Sequence, residues 1–181
     1  MSKKNILTRR NFVKKSLHLA AGIVLAGPFE SIAMLTKQPM SLYHTHTGER
    51  LEINYSSDGY TSSTINKLNY FLRDFRTKDV HPIDPALLNI LNGIQQKSNS
   101  RGIIEIISGY RSPSTNKQLN SQSSSVAKQS LHMKGQALDI RLTDLKTRDL
   151  RDVAISLHQG GVGYYSKSDF VHIDTGRFRT W

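Results

Sequence analysis

His132 and Asp139 stand seven positions apart with Gly135 between them, and His172 follows on a separate apolar stretch. Seven is too many for one helical turn, because neighbours on a helix face lie three or four residues apart. If the three side chains share a centre, the chain must pass from a loop into a strand between His132 and Asp139. Gly135 permits that backbone reversal, and a neighbouring strand must deliver His172. Two imidazoles and a carboxylate supply three ligands and leave the fourth tetrahedral position open, as catalytic zinc requires. The same residue types also suit a non-haem iron triad, with His172-Ile-Asp174 as the close pair and His132 as the third ligand. That assignment leaves Asp139 and Arg111 without a role.

The chain has 181 residues and no cysteine, which excludes disulfide scaffolds, thiolate metal sites and thiol nucleophiles. Its hydrophobic fraction of 37% is too high for a disordered chain, and its length suits one domain with a real core. The net charge of +11 would suggest nucleic acid if it were spread over the fold. It is not so spread. Residues 1–33 hold Lys3, Lys4, Arg9, Arg10, Lys14 and Lys15 against Glu30 alone.

That leading segment reads as an export signal. Thr8-Arg-Arg-Asn-Phe-Val-Lys14 has the twin-arginine pattern, Ser16–Gly27 is a mildly apolar run, and Ser31-Ile-Ala33 offers a cleavage site. The apolar run falls short of the ~20 residues that a membrane span needs. The expectation is therefore a periplasmic protein exported by the twin-arginine route, without a stable membrane span after export and without nucleic acid as a partner.

Residues 34–50 read as an extended lead-in, with His44 and His46 as surface residues. From residue 51 the spacing predicts a strand over 51–55, a turn at 56–59, and helices over 61–77 and 84–98. Further on it predicts a strand over 103–107, a short helix over 114–122, a strand over 136–142 and a helix over 144–158. Two closing strands, 162–165 and 170–174, complete the chain. Helices first and short clustered strands later predict an α+β fold, a small mainly antiparallel sheet flanked by helices.

Three patterns carry the chemistry: Ser130-Leu-His132-Met-Lys-Gly135-Gln-Ala137-Leu-Asp139, Asp169-Phe-Val-His172-Ile-Asp174 and Ser108-Gly-Tyr-Arg111. Together with Gly160-Gly-Val-Gly-Tyr-Tyr165, they resemble the murein endopeptidase K branch of the zinc D-Ala-D-Ala peptidase and hedgehog-like superfamily. The resemblance spans roughly residues 42–181 and implies a zinc peptidase domain over 51–181. It implies Zn2+ held by His132, Asp139 and His172, matching the set reached from spacing. It also implies peptidoglycan stem peptides as partners and endopeptidase action on their cross-links, bonds between two diaminopimelate residues included.

The resemblance further gives Arg111 a substrate contact and the steadying of a developing oxyanion, a task that suits a permanently charged guanidinium. Ser130 matches the motif's serine, as a substrate contact or a hydrogen bond behind a ligand. Related dipeptidases carry a glutamate base three residues before the last histidine, and here that position is Asp169. Asp174, on the same strand face as His172, is the other candidate for the base, or it orients that ligand. Two other functions stay open: a D-Ala-D-Ala-type carboxypeptidase, and a catalytically silent zinc-containing module that binds peptidoglycan.

Overall fold

The computed structural model describes residues 39–54, 59–123 and 126–181. The expected export signal over 1–33 and most of the expected turn at 56–59 lie outside the described residues. Among the described residues seven strands form one sheet: β1 (Met40–His44), β2 (Arg50–Ile53), β3 (Ile104–Ser108), β4 (Ala137–Leu142), β5 (Gly161–Tyr165), β6 (Phe170–Asp174) and β7 (Arg179–Thr180). Their spatial order is β2-β1-β3-β4-β6-β5-β7. The pairings are antiparallel except for β1 with β3 and β5 with β7. Helices α1 (Ser62–Phe71), α2 (Ala86–Ser98), α3 (Pro113–Gln122) and α4 (Thr147–Leu157) accompany it, with a 3-10 turn over Leu131–Lys134. This is the expected α+β class with a mainly antiparallel sheet.

The core forms where apolar residues recur at the period of each element. On α2, Leu87, Leu88, Leu91 and Ile94 are buried, and β3 contributes Ile104 and Ile106. Each such side chain contributes about 1.5–3 kcal/mol by leaving water. β4 lies at the centre of the sheet, with Ala137, Leu138, Asp139 and Ile140 all buried. Among these four buried residues Asp139 is the one polar group, set between Leu138 and Ile140.

Three departures from the sequence reading have local causes. The stretch read as a lead-in instead contributes β1, whose Leu42 pairs in register with Ile104 of β3. His44 at its end is fully buried, edge-on to Phe71 and Phe75, and not a surface residue. Burial pushes its pKa down to about 4, so it is neutral. His46 is exposed and stacks on Phe75 at 4.0 Å.

Helix α1 stops at Phe71, short of residue 77, because the Asp74 carboxylate takes the Arg76 N–H (2.9 Å) and the distant Ser112 N–H (2.8 Å). α4 starts three residues later than expected. The Asp144 carboxylate, read as part of its first turn, accepts instead from Ser100 Oγ (2.6 Å) and the Arg101 N–H (3.0 Å).

A candidate metal centre beside an arginine

His132 sits in the 3-10 turn, which Ser130 caps by accepting the His132 N–H at 3.3 Å. The turn ends at Gly135 in the left-handed region (φ 65°), where a Cβ would collide with the Pro82 carbonyl. The chain then enters β4, which presents Asp139 directly opposite His172 of β6. This is the loop-then-strand path that the spacing required.

Three ligand atoms converge. His132 Nε2 lies 3.2 Å from Asp139 Oδ1 and 3.2 Å from His172 Nδ1, and His172 Nδ1 lies 2.9 Å from Asp139 Oδ1. Ligands about 2.05 Å from a tetrahedral zinc stand roughly 3.3 Å apart, close to this triangle. Proton placement sharpens the fit. His132 Nδ1 faces the Gly109 carbonyl at 2.8 Å, and a carbonyl only accepts, so that nitrogen carries the proton. His172 Nε2 faces Asp174 Oδ2 at 3.1 Å and donates to it. The remaining lone pairs of both rings point at each other and at Asp139. One proton between any two of these atoms leaves the third facing a bare acceptor, whereas a single cation satisfies all three. The residues fit a metal ion.

The electrostatics agree. Burial pushes the Asp139 carboxyl up, but His132 and His172 outweigh it and hold it far below the usual range. Burial pushes His172 down, yet Asp139 and Asp174 outweigh it and raise it. The anions that favour a proton there also favour a metal.

Asp174 has no exposed surface and both its oxygens are occupied. Oδ1 accepts from the N–H groups of Gly161 (3.1 Å) and Gly176 (2.8 Å) and from Arg179 Nη1 (3.0 Å). Oδ2 accepts from Arg179 Nη2 (2.6 Å) and from His172. Burial raises this carboxyl, but these partners hold it far below the ordinary range. Asp174 thus lies behind His172 and holds its ring through Nε2. Asp169, the other candidate base, is not brought to the cluster. Its carboxylate accepts from Thr147 Oγ1 (2.7 Å) and faces Arg141 (3.6 Å) in a separate depression.

Arg111 does reach the site. Its Nη2 lies 3.7 Å from Asp139 Oδ2, and its buried Nε has no hydrogen-bond partner among the described residues. Its Nη1 donates to Asn116 Oδ1 at 3.5 Å, and the guanidinium contributes to the cleft wall beside Asp139. The segment that carries it is held from both sides. The Tyr110 N–H donates to the Leu72 carbonyl (2.7 Å), the Arg111 N–H to the His132 carbonyl (3.2 Å), and the Ser112 N–H to Asp74. Gly109 is needed there because a Cβ would lie 2.6 Å from the Leu72 carbonyl.

Asp74 also gives this segment a pH dependence. Burial raises its carboxyl, but hydrogen bonds from Thr115, Ser112 and Arg76 bring it down to about 2, from 3.8. A depressed folded-state pKa adds stability that is present above about pH 4 and lost as pH falls toward 2. Asp74→Asn is expected to cost about 2 kcal/mol at pH 7, the gap to the unaltered protein closing at acid pH. Urea unfolding across that range checks it, and a gap that persists at pH 2 would refute it.

The cleft over these residues holds ≈ 350 Å³, and Ser130, Tyr165, Phe170, Arg179 and Trp181 contribute to its walls. Tyr165 and Phe170 stack at 4.5 Å, and Trp181 Nε1 donates to the Tyr165 hydroxyl at 3.1 Å. Arg179 went unnoticed in the sequence because β7 is two residues long, too short for any periodic signal.

Comparison with known proteins agrees with this geometry. The family described as "Peptidoglycan L,D-endopeptidase MepK" matches residues 33–181. The Escherichia coli (strain K12) protein of that name is 37% identical over 182 residues, covering 100% of both chains. "Probable peptidoglycan L,D-endopeptidase MepK" of Haemophilus influenzae is 42% identical over 168 residues, 90% of each chain. With the match running through every strand that builds the cleft, the chain belongs to the peptidoglycan L,D-endopeptidase MepK family of the M15 peptidases.

Proposed function

We propose that this chain is a zinc-dependent peptidoglycan endopeptidase that hydrolyses peptide cross-links, including bonds between two diaminopimelate residues. The observation that carries this is the convergence of three lone pairs at one point beside the Arg111 guanidinium. The relatives' names supply the substrate class. The proposal extends to location: residues 1–33 direct twin-arginine export to the periplasm and are removed after Ala33, and the domain that follows includes β1.

In this reading His132, Asp139 and His172 hold the metal. Bound there, zinc would lower the pKa of a water to about 7 and polarise the scissile carbonyl. The chain's own residues do the rest. Arg111 donates to the carbonyl oxygen as it gains negative charge, in a cleft where such a bond is strengthened by exclusion of water. Asp174 keeps the proton of His172 on Nε2, and Ser130 holds the turn that aims His132. Neither carboxylate considered as a general base faces the cleft with a free oxygen. Asp169 is turned away, and Asp174 is saturated.

The test is incubation of the zinc-loaded protein with purified peptidoglycan and mass spectrometry of the released fragments, with and without a chelator. Chelator-sensitive conversion of cross-linked dimers to monomers, restored by zinc, is expected. Loss of terminal D-Ala alone would make the protein a carboxypeptidase. Bound zinc without cleavage of any species would leave a binding module.

A further inference from the structure

We infer that Arg179 is a positioning residue of the metal centre: it fixes Asp174, and through Asp174 the ring of His172, so that Nδ1 faces the ion. This rests on His132, Asp139 and His172 being metal ligands.

A carboxylate as buried as Asp174 needs a charged partner. Arg179 supplies it with both arms of its fork, Nη1 to Oδ1 at 3.0 Å and Nη2 to Oδ2 at 2.6 Å. The Gly161 and Gly176 N–H groups fill the rest of Oδ1. The remaining direction on Oδ2 points at His172 Nε2, and a donor there leaves the lone pair on Nδ1. Arg179 is itself fixed, since Nη1 also donates to the Arg177 carbonyl (3.1 Å) and β7 sets it opposite Gly161 of β5. A Cβ at Gly161 would meet both Arg179 Nη1 and Asp174 Oδ2, so the bare glycine leaves room for the fork. Two residues on, the Trp181 ring lies over Gly163, 5.3 Å from the His172 ring, and covers that ligand. Lysine cannot reproduce a two-armed contact, because its ammonium is a single point of charge.

Partners behind a metal ligand typically change affinity ten- to a hundred-fold. The full-length protein, Arg179→Met and Arg179→Lys are compared for zinc affinity by competition with a chromophoric chelator. Their cobalt-substituted visible spectra and the thermal unfolding of each metal-free form are recorded alongside. Expected are zinc binding about ten- to a hundred-fold weaker in Arg179→Met, an intermediate loss in Arg179→Lys, and an altered cobalt band. Affinity and cobalt spectrum unchanged in Arg179→Met would overturn the proposal. Nitrogen NMR of the unaltered zinc-loaded protein decides independently, should a variant fail to fold. A proton on His172 Nε2 is expected, and one on Nδ1 would overturn the proposal. An unaltered protein that binds neither zinc nor cobalt would overturn the metal centre itself.

Discussion

Protein carrying His132→Ala or Asp139→Ala is expected to retain no zinc and to lose at least about a thousand-fold in peptidoglycan turnover. The ion's contribution to the transition state is several kcal/mol, and each 1.36 kcal/mol is a factor of ten. Neither change removes apolar core. Leu138 and Ile140 flank Asp139 and stay buried, so the sheet persists while the ligand set falls to two. His132→Ala additionally leaves the Gly109 carbonyl without its ring donor. Metal analysis of the purified variants beside a turnover assay checks both halves. A variant that keeps one zinc per chain would remove that residue from the ligand set.

Arg111→Ala is expected to behave differently, keeping zinc while turnover falls about a hundred- to a thousand-fold, the usual cost of losing one oxyanion donor. The separation is possible because the Arg111 backbone N–H, and not its side chain, bonds the His132 carbonyl. The guanidinium touches the ligand set only through a 3.7 Å approach to Asp139. Arg111→Lys keeps the charge without the planar fork and should recover only part of the rate. Parallel zinc titration and turnover measurements decide the matter. Normal turnover in Arg111→Ala would exclude the side chain from the reaction.

The clustering of His132, Asp139 and His172 was legible because its constraint was geometric: a seven-residue gap, a glycine and a second strand admit few arrangements. Helix α2 was legible from its four-residue apolar rhythm and the Asp84-Pro85 start, where the Asp84 carboxylate accepts the Ala86 N–H at 3.0 Å. The position of Asp169 was not. It lies three residues before His172, and along a strand an odd offset points a side chain to the opposite face, whereas Asp174 at an even offset shares it. Asp169 also occupies a turn with φ 52°. β1 alternates buried and part-buried residues as a strand should, but its last inward position is a histidine, which breaks the apolar pattern. The ends of α1 and α4 are set by Asp74 and Asp144 through partners far along the chain, beyond any local window.

The bond from the Arg111 N–H to the His132 carbonyl, and that from Tyr110 to the Leu72 carbonyl, join main-chain atoms alone. The spacing between Arg111 and His132 therefore asks little of the neighbouring side chains, apart from a glycine at 109 and the Asp74 carboxylate that holds Ser112. Surrounding residues can drift over evolutionary time without detuning it. The cleft wall at Tyr165, Phe170 and Trp181 can then change while Arg111 and His132 keep their distance.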